Sequence, residues 1–203
     1  MTRWYQEKKR EHFYKEAKRT GYRARSAFKL KQIQKKFRIM HEGDIVIDLG
    51  AAPGGWSQVA KEIVGKEGTV IGIDRSYIQP ISGITFLKGD LTSDSTLYEI
   101  KQIIRGKKVD VVLSDMSPNI SGNYSVDHAR SIYLCKKSLN IAEMILRTGG
   151  NFVCKIFMGE ELEEFYCKTK NRFRRIKQFS PIATRKSSSE IYLIALTFYK
   201  LNS

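Results

Sequence analysis

Short apolar runs alternate with helical segments along most of the chain, and this alternation limits the fold more than any other feature. Asp44-Ile45-Val46-Ile47-Asp48-Leu49, Thr69-Val70-Ile71-Gly72-Ile73-Asp74, Ile84 to Leu87, Val109 to Ser114, Asn151 to Phe157 and residues 190–199 read as strands. Residues 56–64, 95–105, 127–147 and 160–174 read as helices, the first ending near Gly65 and the third closed by Gly149-Gly150. Strands this short, mostly apolar on both faces, belong to a parallel sheet covered by helices on each side. Upstream, residues 3–19 and about 24–37 read as two more helices broken at Gly21. The second of these carries Ala27, Leu30, Ile33 and Phe37 at helical spacing. A length of 203 residues suits one such α/β domain. We divide it into a basic N-terminal helical extension, residues 1–38, packed on a domain formed by residues 39–203.

Several classes are disfavoured at once. Three widely spaced cysteines, Cys135, Cys154 and Cys167, argue against a disulfide scaffold and leave no zinc spacing. No apolar run approaches the ~20 residues of a membrane span. Met1-Thr2-Arg3-Trp4-Tyr5 lacks an apolar signal core. The expectation is a soluble, reduced protein.

Charge then narrows the partner. The net charge is +15, but residues 1–38 hold 14 Lys/Arg against 3 Asp/Glu, and residues 168–186 hold 8 Lys/Arg and no acid. These two flanks carry +11 and +8, so the rest of the chain sums to −4. A single short basic run is often just a solvated helix face. Two on one chain point to a polyanion, nucleic acid before an anionic membrane, because the N-terminal run lacks the clean apolar face of a membrane-surface helix.

Between the first strand and its helix lies Asp48-Leu49-Gly50-Ala51-Ala52-Pro53-Gly54-Gly55-Trp56. In open α/β sheets ligands bind beyond the carboxyl ends of the strands, and glycines let the backbone come close to them. The loop is neither Gly-x-Gly-x-x-Gly nor a phosphate-binding Gly-Lys-Ser/Thr loop. Opening on an acid, it suits a cationic or hydroxyl-bearing ligand. Asp74 ends the second strand, where an acid can accept both ribose hydroxyls of a nucleoside. Asp90, after Lys88-Gly89, is placed to read an adenine amino group. Each acid alone reads as a turn or cap. Three acids ending three successive strands beside a glycine loop fit a nucleoside bearing a positive sulfonium, S-adenosylmethionine.

With these residues in place the sequence resembles the FtsJ/RrmJ-type ribosomal RNA 2′-O-methyltransferases, from about Tyr22 to Tyr199. The stretches that carry the resemblance are Arg23-Ala24-Arg25-Ser26-Ala27-Phe28-Lys29-Leu30, Asp48 to Gln58, Ser114-Asp115-Met116-Ser117-Pro118-Asn119-Ile120-Ser121-Gly122, Phe152-Val153-Cys154-Lys155-Ile156-Phe157 and Ser189-Glu190-Ile191-Tyr192. It implies a Rossmann-like S-adenosylmethionine-dependent methyltransferase fold: a seven-stranded, mostly parallel sheet with helices on both faces and an antiparallel last strand. It also implies that Gly54, Trp56, Asp74, Asp90 and Asp115 contact the cofactor, with Asp48, Gly50, Pro53 and Gly55 completing the loop. The resemblance further implies action on a uridine 2′-hydroxyl of large-subunit ribosomal RNA, in ribosome biogenesis.

Lys155 draws attention on its own terms, because a lysine in an apolar strand is seldom buried without a partner or a task. The resemblance matches Lys29, Asp115, Lys155 and Glu190 to the family's Lys-Asp-Lys-Glu tetrad. Lys155 would deprotonate or steer the hydroxyl, Asp115 and Glu190 would orient it and the ribose, and Lys29 would support the site from the substrate side. The methyl donor is already activated, so no metal is expected, and His12, His41 and His128 form no ligand spacing. Cys154 adjoins Lys155, yet strand alternation turns it to the opposite face, away from a nucleophile's role.

A 2′-hydroxyl makes RNA the polyanion. Arg23, Arg25, Lys31, Lys35, Lys36, Lys170, Arg172, Arg174, Arg175 and Arg185 are expected to grip phosphates around the rim of the site, positioning rather than selecting. Ser114-Asp115-Met116-Ser117-Pro118-Asn119 is similar to the ribosomal branch, whereas the transfer-RNA branch tends to carry Cys-Asp-Gly-Ala-Pro-Asp there. The partner is thus ribosomal RNA or the large ribosomal subunit, with a transfer-RNA anticodon loop as the alternative. A non-catalytic RNA-binding assembly factor would lack the tetrad, and a Rossmann oxidoreductase would need the missing Gly-x-Gly-x-x-Gly. The expected state is a monomer, away from membranes, in the cytoplasm or, for a eukaryotic source, a mitochondrion or other organelle.

Overall fold

The computed structural model describes residues 12–91, 93–184 and 189–200. Helix α1 (residues 12–19) leads into α2 (Ala27–Phe37), β1 (Ile45–Leu49), α3 (Gly55–Val64), β2 (Thr69–Asp74), β3 (Ile84–Lys88) and α4 (Asp94–Ile103). Then follow β4 (Val109–Ser114), α5 (Tyr124–Ile145), β5 (Leu146–Phe157), α6 (Leu162–Lys170), β6 (Phe173–Phe179) and β7 (Glu190–Phe198). Among the described residues no helix is long and apolar enough to cross a membrane.

The seven strands form one sheet in the order β3-β2-β1-β4-β5-β7-β6. Strands β1 to β5 are parallel, and β7 runs antiparallel to both β5 and β6. The strand order reverses between β1 and β4, which opens the crevice where sheets of this kind take a ligand. The carboxyl ends of β1, β2, β4 and β5 thus form one rim of the sheet and their amino ends form its foot.

Two apolar layers hold the sheet, and strand alternation sorts residues between them. Ile47, Leu49, Ile71, Val112, Phe152 and Cys154 face α4, α5 and α6. Val46, Val70, Val111, Leu113, Val153 and Tyr192 face α2 and α3. Helix α2 joins that second layer because Ala27, Leu30 and Ile33, spaced three apart, are completely buried. Burying a side chain such as Leu30 is worth about 1.5–3 kcal/mol, and cutting the buried Phe152 to Ala would cost about 3–5 kcal/mol. Arg38 ends α2 in a left-handed conformation, φ 50°. The Gln34 side chain then bonds both the N–H and the carbonyl of Met40, fixing the exit toward β1.

Two boundaries differ from the sequence reading. Gly149-Gly150 does not close a helix; it lies inside β5, where the pairing with β4 slips between Val109 and Val111. A Cβ at Gly150 would stand 2.9 Å from the Asp110 carbonyl oxygen, so glycine lets the bulged strand approach its neighbour. Residues 173–179 are a strand rather than the tail of a helix running to 174. Phe173 and Ile176 both pack into the α5–α6 layer although they differ in strand parity. Opposite them Thr197 has φ 63°, and the local kink gives an apolar spacing of three that imitates a helix.

Candidate active site

The loop after β1 is shaped by contacts that only glycine allows. Gly50 has φ 77°, and a Cβ there would stand 2.5 Å from the Met116 side chain. Gly54, φ 113°, caps α3, and Gly55 packs against Ala24, leaving 3.1 Å to its Cβ. The loop is held from outside by Arg23, whose guanidinium donates to the carbonyls of Pro53 (3.3 Å), Gln79 (2.5 Å) and Pro80 (2.9 Å). Arg23 was expected to grip phosphate. Here it is a strap between the N-terminal segment and the glycine loop, with its donors turned inward.

Four carboxylates surround this loop at different depths. Asp74 accepts from the Ala52 N–H (3.0 Å) and the Ser76 N–H (2.8 Å). A carboxylate has about four acceptor positions, so it retains capacity for ribose hydroxyls. Asp90 pairs with Arg75 at 3.3 Å. Asp48, expected to touch the cofactor, has no exposed surface and lies behind the loop. Its Oδ2 accepts from the Ser57 hydroxyl at 2.6 Å, while Oδ1 has no partner among the described residues. Burial pushes the Asp48 carboxyl up to about 7, against the Ser57 hydrogen bond, and the charges of Asp115 and Asp74 add to the rise. Trp56, another expected contact, donates its indole N–H to the Ser26 carbonyl at 2.9 Å and packs on Tyr192 with centroids 5.6 Å apart. Its side chain is committed to α2 and β7, which leaves its main chain to the loop. Glycines for close approach, an acid ending β2 and a negative floor fit a nucleoside carrying a sulfonium.

The tetrad assembles beside this loop from four elements. Lys155 and Tyr192 are cross-strand partners in β5 and β7, as are Phe157 and Glu190. Lys155, only 8% exposed, donates to the Asp115 carbonyl oxygen at 2.6 Å, with its Nζ 3.2 Å from Asp115 Oδ1. Lys29, 7% exposed, forms an ion pair with Glu190 and lies over the Tyr192 ring, 5.7 Å from its centroid. All four charged groups are therefore joined around one tyrosine. Tyr192 was missing from the predicted set. Its hydroxyl donates to Asp115 Oδ1 at 2.8 Å, and burial, then the charges of Asp115 and Glu190, hold it well above its ordinary range. It stays protonated and acts as a fixed donor. Its position two residues after Glu190, on the same strand face, was the available signal.

Cys154 lies on the other face of β5, in the α5–α6 layer. Burial raises its thiol well above the ordinary value, which removes it as a nucleophile. The loop from Met116 to Gly122 is held from α5: Asp127 accepts from the Ser121 N–H and hydroxyl, both at 2.8 Å, and from the Gly122 N–H at 3.1 Å, and Arg130 donates to the Asn119 carbonyl at 3.1 Å.

The basic residues do not form one ring around the rim. On the α2 side, Lys31 donates to the Tyr22 hydroxyl at 2.8 Å, Lys36 lies 4.6 Å over the Phe179 ring, and Lys35 is exposed. Arg25 sits half-buried just before α2. Lys170, Arg172, Arg174 and Arg175 are elsewhere. Phe173 pairs with Phe198 at the end of β7, whereas Phe179 pairs with Tyr192 near its start. These four residues therefore occupy the foot, away from the tetrad, which corrects the expected rim placement. Arg185 lies outside the described residues.

Sheet order, an antiparallel β7, a glycine loop after β1 and acids ending β1, β2 and β4 define a Rossmann-like methyltransferase of the S-adenosylmethionine-dependent class. A family model described as FtsJ-like methyltransferase matches residues 22–198, and the chain belongs to that family. It is 47% identical over 190 residues to a protein of Methanosarcina mazei called Ribosomal RNA large subunit methyltransferase E, covering 94% of this chain and 70% of that one. A protein of Archaeoglobus fulgidus with the same name is 45% identical over 193 residues, covering 95% and 98%. Among solved structures, one assigned to a ribosomal RNA methyltransferase of Plasmodium falciparum superposes with a TM-score of 0.79 at 30% identity, covering 87% of this chain and 98% of that one. An O-methyltransferase of Thermotoga maritima, at 16% identity, a TM-score of 0.57 and coverage of 85% and 66%, shares the fold.

Proposed function

We propose that this enzyme methylates a ribose 2′-hydroxyl of large-subunit ribosomal RNA, at a uridine. The observation that carries the chemistry is the buried Lys155, held by Asp115 at the end of the glycine-loop crevice and walled by Tyr192 and the Lys29–Glu190 pair. Relatives named for large-subunit ribosomal RNA at 45–47% identity support the substrate class. So does the ribosomal-type stretch Ser114 to Asn119.

S-adenosylmethionine, when bound, supplies an electrophilic methyl group on a sulfonium. Gly50, Gly54 and Gly55 would line its approach, Asp74 would take ribose hydroxyls and Asp90 the adenine edge, while the Asp115 carboxylate would supply negative charge and the buried Asp48 would support the loop from behind. A 2′-hydroxyl attacks slowly until its proton is oriented and removed. In this reading Nζ of Lys155, as the neutral amine, steers the hydroxyl and accepts its proton as the oxygen–methyl bond forms and the sulfur–methyl bond breaks, the electron pair of that bond staying on sulfur. Asp115 fixes Lys155 through both its carbonyl and its carboxylate. Tyr192 fixes the carboxylate. Lys29 and Glu190 close the site on the α2 side, where the nucleotide enters. In-line positioning supplies most of the remaining acceleration.

Residues 1–38 would serve as the substrate-side extension of the domain formed by residues 39–203, with Lys35 and Lys36 toward phosphate. The enzyme would act as a monomer, without a metal. Transfer of labelled methyl from S-adenosylmethionine to large ribosomal subunits, with the modified ribose mapped, tests the reading. Expected is one ribose-methylated uridine in large-subunit RNA. Methylation of a transfer-RNA anticodon loop instead would replace the substrate, and binding of the donor without RNA methylation would end the proposal.

A further inference from the structure

The foot of the sheet carries a second concentration of positive charge that the catalytic site does not use. The α4–β4 turn, residues 104–108, holds three Lys/Arg; residues 168–175, spanning the end of α6 and the start of β6, hold five; neither contains an acid. These segments form one surface. Lys108 Nζ donates to the Met144 carbonyl at 3.0 Å, linking the first turn to the end of α5. Arg172 reaches Glu143 on the same helix at 3.2 Å, and its carbonyl accepts from the Tyr199 N–H at 3.0 Å.

Two bland explanations cover only part of it. Helices α4, α5 and α6 all end here, and each presents roughly half a negative charge at its carboxyl end, which one cation offsets. Lys108 does this for α5. Charge on the edge strand β6 also discourages pairing with another sheet. The carboxylates in contact with this surface, Glu143 and Asp110, are already paired with Arg172 and Arg147. Lys107, Lys170, Arg174 and Lys200 remain exposed beyond these needs.

Resting on the proposed RNA substrate, we infer that this foot is a second phosphate-binding surface, for a backbone segment of the same RNA remote from the target nucleotide. Phe179, at the level of Tyr192, lies six residue steps along β6 from Phe173 at the foot. At ~3.3 Å per residue that is about 20 Å, too far for the nucleotides flanking the target to reach both without wrapping the sheet edge. The ligand is a folded RNA that presents two backbone segments, and the foot contributes affinity and orientation, not chemistry.

The full-length triple variant Lys107→Glu/Lys170→Glu/Arg174→Glu tests this, with Lys107→Gln/Lys170→Gln/Arg174→Gln as a milder companion and thermal melting as a check on folding. With intact large-subunit RNA, binding should weaken by about tenfold, and the salt slope should fall by about 2 to 3, near 0.9 per lost phosphate contact. KM for the RNA should rise while kcat at saturation and the Kd for S-adenosylmethionine stay unchanged. Unchanged RNA affinity and salt slope in a folded variant overturn the inference. So does a loss confined to phosphatidylserine vesicles. If the wild type methylates no ribosomal RNA, the functional proposal fails first, which separates the two.

Discussion

Lys155 Nζ is bonded twice to one residue, to the main-chain carbonyl of Asp115 at 2.6 Å and alongside its carboxylate at 3.2 Å. With both anchors on Asp115, just beyond the end of the neighbouring strand β4, Nζ has little freedom. Replacing Lys155 by Ala should lower kcat by about 10² to 10⁴, the range for losing a positioned proton-handling group. Affinity for S-adenosylmethionine, measured by calorimetry, should change little. A Lys155→Ala enzyme with full transfer activity would remove this residue from the mechanism.

Tyr192 offers a finer test, because Tyr192→Phe deletes one oxygen and keeps the ring against Trp56. The lost bond to Asp115 leaves its carboxylate less constrained, worth about 1–1.5 kcal/mol or about tenfold. We expect kcat to fall by that factor with KM for S-adenosylmethionine unchanged, read from steady-state methyl transfer. A variant changed only in melting temperature would make Tyr192 a packing residue.

Much of this site could be read from the chain, for physical reasons. Leu49 to Trp56 showed its nature because close backbone approach demands glycine, and Lys155 because a charge in an apolar strand needs a cause. Lys29 was different: its burial depends on Glu190, far along the chain, and helical spacing alone makes it a solvated lysine. Arg23 looked like a phosphate ligand because its carbonyl acceptors at Pro53, Gln79 and Pro80 come together only in the fold. Strand β6 was lost to an apolar spacing of three, and with it the placement of Arg172, Arg174 and Arg175. Local pattern shows what a residue needs; long-range pairing decides which neighbour meets the need.

Arg23 should therefore act on the cofactor, not chiefly on RNA. Arg23→Gln removes the charged strap on the Pro53, Gln79 and Pro80 carbonyls and loosens the glycine loop. Because the guanidinium is partly exposed, the effect is smaller than for a buried charged bond, about 1 kcal/mol. The Kd for S-adenosylmethionine should rise about fivefold while the RNA salt slope stays within one unit. A fall in the slope without loss of cofactor affinity would return Arg23 to the phosphate-binding set.

Asp48 gives a prediction in pH. Its folded carboxyl is pushed up to about 7 by burial, with Asp115 and Asp74 adding repulsion, against about 3.9 in an unfolded chain. A raised acid stabilises the fold in its protonated form. That contribution is full below about pH 4 and is lost as pH rises through about 7. Between pH 8 and pH 6 the cofactor-free wild type should gain stability relative to Asp48→Asn, which cannot ionise there. The limiting slope is about 1.4 kcal/mol per pH unit, or roughly 3–5 °C in melting temperature for a chain of this size. Melting curves of both proteins at half-unit steps measure it. Parallel curves across that window would show that Asp48 is already ionised beneath the loop, its unpaired Oδ1 satisfied by solvent.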